Sequence, residues 1–492
     1  MAGISTGLDP GKLRPVMRAA FQVVGAILLV STLSQASASD HPSSNPMPPA
    51  GETIEKIATS VSPDQQYSLY LPSAYSVAKK WPLLVIMDPR GRAPMALELF
   101  RASAERRGYI LMSSYQTRSD TEWAVTTEAL KAMLQEAETR YSIEASRVYL
   151  AGLSGTSRAA WAYAHALKGM VAGVVGVAGG RPATVEVDDE TVDFVHFGVT
   201  GTTDFNYREM VELAAYLDGI GAQYRLEIVE GGHAWPPAEI TNRAIDWFEL
   251  QAMRAKQAHG SVAFVDDEFE LAIERLKTAE GALSEYRRTN EIIRDFGGLR
   301  DVDDYISRSS SLAASTDLEE ATIAQARIFE QERTYLRHRF GPWLNRIRSS
   351  DQDLSTLSRS LMDLQIETLK KQAANKDDPD SANSAQRLLD DLYANMSFYL
   401  PRDFREVGDY DRAIYALKIA IEIDPERRRA QWGLAQAYAT TGQEKKAFET
   451  LRRAIALGKV DVERLETDPT WEKLRQKPVW QEILDAAKSA SS

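Results

Sequence analysis

The sequence predicts an α/β domain, a mostly parallel sheet with helices on both faces, followed by an all-α region of helical repeats. Three observations carry that expectation. Between Thr53 and Gln257 short apolar runs alternate with amphipathic helical stretches, the grammar of strands joined by helical crossovers. Beyond Val262 the strand-like runs stop. Near the C-terminus a pattern of glycine, alanine and leucine starting at Gly408 returns thirty-four residues later at Gly442.

Length and composition bound the rest. A chain of 492 residues has room for two to four domains of roughly 100–200 residues each. With 44% apolar and 26% charged residues it has the balance of a globular protein. A formal charge of −12 argues against nucleic acid as a partner, because neutralising phosphates requires a basic face. The absence of cysteine removes disulfides, thiolate metal sites and a thiol nucleophile. Histidines at helical pair spacing and a glycine-rich phosphate loop are also missing, so neither metal nor cofactor is expected.

Residues 1–38 read as an export signal. Lys12, Arg14 and Arg18 precede the apolar run Ala19–Leu33, and Ala36-Ser37-Ala38 supplies the small residues of a cleavage site. The expected location is the periplasm or the exterior, with no membrane span left after cleavage. The alternative is an uncleaved anchor, since Ala19–Ser39 carries no charge. Residues 39–52, rich in proline, form an extended leader.

The α/β domain then spans 53–257. Tyr67–Leu71 alternates at period two, and Pro82–Met87 is a continuous apolar run, as a strand buried on both faces requires. Further strands are expected at Tyr109–Ser113, Arg147–Gly152, Val171–Val177, Phe194–Val199 and Tyr224–Val229. The helices between and after them cover Pro94–Arg107, Thr121–Tyr141, Thr156–Ala166, Tyr207–Leu217 and Pro237–Ala255. Residues 258–395 are helical but interrupted at Gly297-Gly298, Ser309–Ser311 and Asp377–Asn383, so degenerate repeats and a separate bundle both stay open. In residues 396–492, Gly408-Asp-Tyr-Asp-Arg-Ala413, Leu417 and Ala420 are matched by Gly442-Gln-Glu-Lys-Lys-Ala447, Leu451 and Ala454. This period, with small residues at the tight helix contacts, resembles the tetratricopeptide repeat. Thr470–Ala487, carrying Trp471 and Trp480, reads as a closing helical cap.

In such sheets ligand chemistry gathers at the carboxyl ends of the strands. Gly152-Leu-Ser154-Gly-Thr156 lies there, between a buried strand and a helix, where a sharp turn exposes a serine hydroxyl. Thr156 stands where the pattern has glycine. Gly3-Ile-Ser-Thr-Gly7 matches the full pattern inside the export segment, so context and not the pentad singles out Ser154. Serine needs a base. His41, His259 and His338 lie outside or at the margin of the domain, His165 falls on a helix and His196 inside a strand. His233, in Glu230-Gly-Gly-His233-Ala-Trp235-Pro-Pro, follows a strand end and is the candidate base. Asp204 follows the preceding strand and is the candidate for orienting it, a helix N-cap role being the alternative.

These residues, and the Gly231-Gly-His-Ala-Trp-Pro ending, resemble the α/β-hydrolases, nearest the polyhydroxyalkanoate-depolymerase and feruloyl-esterase-like branch. The resemblance implies an oxyanion hole with one donor at the backbone of Gly155. The second would come from Asp88-Pro-Arg90-Gly91-Arg92, where the family has His-Gly; Pro89 has no N–H, which leaves Arg90 or Gly91. Trp123, Tyr207 and Trp235 are candidate cleft residues, and Arg90, Arg92 and Arg158 could each recognise a carboxylate or pair within the protein. The expected activity is that of an exported serine esterase acting on a small or polymer-derived ester. A peptidase on the same three residues and a non-catalytic scaffold are the rivals, and the repeats could hold a protein partner or a second copy.

Overall fold

The computed structural model describes residues 47–119, 121–182, 191–258, 260–349, 353–458 and 460–491; the expected export segment, His41 and His259 lie outside them. The chain forms two compact units, residues 1–326 and 327–492.

In the first unit eight strands make one sheet in the order β1-β2-β4-β3-β5-β6-β7-β8. They are β1 (Thr53–Ala58), β2 (Gln66–Tyr70), β3 (Trp81–Met87), β4 (Ile110–Ser114), β5 (Ile143–Leu153), β6 (Gly173–Val177), β7 (Val195–Gly201) and β8 (Tyr224–Val229). Strand β2 runs antiparallel to β1 and β4, and all pairings from β4 through β8 are parallel. Every residue of β3 is buried, as its unbroken apolar run demands. Strand β1 has no counterpart among the sequence expectations. It is an edge strand with Lys56 at φ 54 and a register break between Ile54 and Ile57, so it offers no alternation to read.

Five helices flank the strands: α1 (Ala93–Arg107), α2 (Trp123–Arg140), α3 (Gly155–Ala166), α4 (Tyr207–Gly219) and α5 (Ala238–Arg254). Successive residues of β3 feed opposite cores. Leu83, Val85 and Met87 pack with Leu130 and Met133 of α2 and Trp161 of α3. Leu84 and Ile86 pack with Leu97 and Phe100 of α1 and Trp247 and Phe248 of α5. The sheet is thus sealed on both faces, and only its ends are open to solutes.

The first unit runs past Gln257 to Ala326. Two further helices, α6 (Val262–Lys277) and α7 (Gly281–Phe296), bury Phe264, Ile292 and Phe296 against Leu250 of α5. A charge fastens them. Arg225 of β8 pairs with Asp295 of α7, each almost wholly buried. Asp295 also accepts from the Trp247 indole at 2.6 Å and from Gln251 at 3.2 Å. An arginine buried in this edge strand is neutralised by that partner and by Glu227 on the same strand, 3.9 Å away.

The second unit contains the repeat. Helices Tyr410–Ile423, Arg428–Thr440 and Glu444–Ala456 follow one another. Gly408 and Gly442 both take left-handed backbone, and the bonds Asp409 N–H to Phe404 O and Gln443 N–H to Tyr438 O recur at 2.8 Å. Ala413, Ala420, Ala447 and Ala454 are fully buried at the helix contacts. Upstream, Pro342 and Pro401 each begin a helix that continues directly from a π-helical turn, Leu336–Phe340 and Asn395–Tyr399, which absorbs the missing N–H. The expected cap over Thr470–Ala487 is not one helix. Asp468 caps a 3-10 turn at Pro469–Trp471, and short helix Glu472–Arg475 precedes Trp480–Ser491.

Candidate active site

Ser154 sits at the turn from β5 into α3 with φ 58 and ψ −121, a conformation rarely adopted by residues with a side chain. Three close contacts hold it there. Its N–H donates to Val177 O at 2.8 Å, continuing the sheet ladder beyond the strand. A side chain at Gly152 would collide with the backbone of Thr156, and one at Gly179 would stand 2.5 Å from the Ser154 carbonyl oxygen. The Thr156 hydroxyl donates to Met87 O at 2.6 Å and accepts from Leu153 N–H at 3.1 Å. That explains why threonine serves where the pattern has glycine. The close approach falls on Gly152, and the threonine side chain points away to staple the turn to β3.

The two other candidates meet. His233 Nδ1 lies 3.0 Å from Asp204 Oδ1, in the loops after β8 and β7. Asp204 is buried, and the same oxygen accepts the Asn206 N–H at 2.8 Å. Helix α4 begins at Tyr207 without a side-chain cap, so Asp204 does not act as its N-cap. The His233 ring stacks on Phe205 with centroids 4.1 Å apart. Main-chain bonds carry the ladder outwards: Ala178 N–H to Val199 O, Thr202 N–H to Val229 O and Thr203 N–H to Gly231 O. The loops bearing Ser154, Asp204 and His233 therefore leave one rim of the sheet. Among the described residues no hydrogen bond joins Ser154 to His233.

Of the three amides expected to hold an oxyanion, the Gly155 N–H is a first-turn donor of α3, aligned with the positive end of that helix. The other two are turned elsewhere. Arg90 N–H donates to Asp88 Oδ1 at 2.9 Å and Gly91 N–H to Asp88 O at 3.1 Å, closing a tight turn with proline at its second position. The expectation at Arg90 and Gly91 is thus corrected, because the Asp88 side chain and carbonyl engage both donors.

Asp88 is the residue that sequence reasoning undervalued. Its side chain is fully buried. Oδ1 accepts from the N–H groups of Arg90 and Arg92 and from Arg92 Nε; Oδ2 accepts from Arg92 Nη2 at 2.8 Å and from the Trp235 indole at 2.9 Å. Burial alone would raise the pKa of this carboxyl, but the bonds from Arg92, Trp235 and Arg90 bring it below the usual value. Its carbonyl also accepts from Thr117 Oγ1 at 2.8 Å, so the loops after β3, β4 and β8 meet on one residue. A buried acid at a strand end beside proline and two arginines was the available signal.

The remaining predicted residues divide. Trp235 is half-buried, anchored by Asp88 and set edge-on to Phe100. Trp123 packs on the core beside Tyr163, and Tyr207 opens helix α4. His165 stacks on Trp161, and His196 is buried inside β7. Among the described residues no cluster of acids and histidines could hold a metal ion, and no helix is long and apolar enough to cross a membrane.

Strand order, crossovers and the strand–turn–helix at Ser154 define the α/β-hydrolase fold. In the second unit, residues 404–466 match the tetratricopeptide repeat family. Among solved structures the chain is similar to a ferulic acid esterase, at 15% identity over 39% of this chain and 95% of that one, with a TM-score of 0.33. It is also similar to S-formylglutathione hydrolase (FrmB) from Staphylococcus aureus, at 14% identity over 42% and 99% of the two chains, TM-score 0.34. An acylaminoacyl peptidase from Pyrococcus horikoshii shares 9% identity over 43% and 42%, TM-score 0.30. No curated protein matches the chain.

Proposed function

We propose that this protein is an exported serine hydrolase that cleaves carboxylic esters through a covalent acyl-enzyme. The observation that carries the reading is the Asp204–His233 pair, 3.0 Å apart, on the same sheet rim as a serine held in left-handed backbone. In this mechanism Asp204 holds Nδ1 protonated, leaving Nε2 of His233 to accept the Ser154 proton as Oγ attacks the carbonyl. The Gly155 N–H holds the developing oxyanion, a contribution of roughly 3–4 kcal/mol per donor. His233 then protonates the departing alcohol, and a water activated by the same ring resolves the acyl-enzyme. The basic, apolar and small-residue order of residues 12–38 supports export. The repeat unit supports a role in holding a protein partner or a second copy.

The test pairs a fluorophosphonate probe with turnover of 4-nitrophenyl butyrate and its anilide analogue. Wild-type protein is expected to be labelled and to hydrolyse the ester, and Ser154→Ala to lose both properties. Unchanged turnover in Ser154→Ala would refute the assignment, and preference for the anilide would make the protein an amidase.

A further inference from the structure

Arg90 and Arg92 lie on the loop after β3 and Arg158 on helix α3, and two of these three are accounted for. Arg92 pairs with Asp88 at 2.8 Å, and Arg158 grips Glu209 with Nε and Nη2. Arg90 has no acidic partner among the described residues. The carboxylate beside it is spent, since both oxygens of Asp88 are filled by Arg92, Trp235 and the Arg90 backbone itself.

A second arginine without a carboxylate partner among the described residues lies on the loop after β4. The Arg118 guanidinium donates to two carbonyls, Tyr115 O at 2.8 Å and Thr117 O at 2.7 Å, and no carboxylate among the described residues reaches it. Chain contacts place the loops that carry both arginines against the turn that carries Ser154. Gly91, next to Arg90, packs directly on Tyr115 O and Arg118 Nη1. Ser119, next to Arg118, packs on Gly155, its Cβ 2.6 Å from where a Gly155 side chain would begin. Met87, just before this loop, pairs in register with Gly152. The Arg90 side chain is exposed; partial desolvation and then the neighbouring Arg92 lower its pKa, and Asp88 opposes the shift. In a chain of net charge −12, unpaired positive charge on this rim is not a matter of average composition.

We propose that Arg90, seconded by Arg118, binds a carboxylate carried by the acyl part of the substrate, making the substrate class the monoesters of dicarboxylic acids. The proposal rests on the ester-hydrolase reading above. His233 is held against Asp204 in the loop after β7, on one side of β5, and draws the leaving alcohol there, whereas Arg90 and Arg118 follow β3 and β4, on the other side of β5. The charge they meet therefore belongs to the acyl chain.

The experiment compares kcat/KM for the 4-nitrophenyl monoester of adipic acid with that for 4-nitrophenyl hexanoate. A charge-assisted bidentate contact predicts a preference of about tenfold or more for the adipate ester in wild-type protein. The ratio is expected to fall to about one in Arg90→Gln and to recover in part in Arg90→Lys, with melting curves confirming that both variants fold. Equal rates on the two esters in wild type, or an undiminished ratio in Arg90→Gln, overturn the proposal and leave the hydrolase reading standing. A preference for charge on the alcohol, 4-carboxyphenyl over phenyl hexanoate, overturns the acyl placement. Failure to hydrolyse any of these esters removes the hydrolase reading and this proposal with it.

Discussion

Ser154 is held at positive φ by close backbone contacts on either side of its turn. That strain, of order 1–3 kcal/mol, persists only where the surroundings over-determine it. Asp204 works at the same scale through one oxygen shared between His233 and the Asn206 amide. Asp204→Asn can present an N–H where the imidazole donates, favouring the wrong tautomer, so kcat is expected to fall by roughly 10³–10⁴-fold with little change in KM. Steady-state kinetics on one ester checks it, and a near-normal kcat contradicts the role. His196 makes a different prediction. It is buried in β7, and among the described residues neither ring nitrogen has a hydrogen-bond partner. Burial pushes its pKa down from 6.5 to about 4. Below 6.5 the unfolded chain takes up a proton that the folded chain refuses. This contribution is therefore complete above about pH 6.5 and is lost as the pH falls towards 4, about 3 kcal/mol in all. Urea midpoints at pH 7 and pH 4.5 should drop further in wild type than in His196→Gln; identical drops would exclude His196 as the cause.

Between elements, the decisive device is the meeting of three loops on Asp88. The loop after β3 donates two amides and the Arg92 side chain, the loop after β4 donates Thr117, and the loop after β8 donates the Trp235 indole. Since Trp235 is two residues from His233, this carboxylate tethers the loop that carries His233. In Asp88→Asn the amide keeps an acceptor but loses the charge, leaving Arg92 unneutralised and one donor without its partner. The cost is expected to be about 1–3 kcal/mol. Trp235→Phe should cost activity as well, and the double variant should lose less than the two single losses combined, because both remove one tether. Strict additivity in kcat would show that the two residues act independently. The same tether explains why the β3 loop departs from the His-Gly of the resembling family: its amides are turned to Asp88 instead of the cleft.

Across the whole molecule, the first unit is larger than its alternating segment. Helices α6 and α7 complete the covering of α5, and Asp295 neutralises an arginine sunk in β8. Removing one partner of a buried ion pair costs about 3–5 kcal/mol. A fragment of residues 47–257 should therefore fail to fold, whereas one of residues 47–326 should melt cooperatively. Circular dichroism of the two fragments tests it, and a cooperative melt from the shorter one would show that the added helices are dispensable. The second unit depends on small residues instead. Four buried alanines and the paired left-handed glycines repeat the same turn at Gly408 and Gly442.

What could be read without coordinates was whatever local chemistry enforces. The run Pro82–Met87 had to be a buried strand, the glycine at 152 had to mark a tight turn, and the thirty-four-residue period had to be a helical repeat. His233 and Asp204 were legible because each follows a strand end, and parallel strands send all such ends to one rim. Beyond that pair, the partners that distant segments supply were not legible. Which donors Asp88 satisfies, which arginine is left over, that Asp295 belongs under β8 and that an edge strand begins at Thr53 all depend on neighbours supplied by other segments. Periodicity and turn chemistry act over a few residues and leave their mark in the text; ion pairing and hydrogen-bond competition are settled only when the sheet brings its loops together.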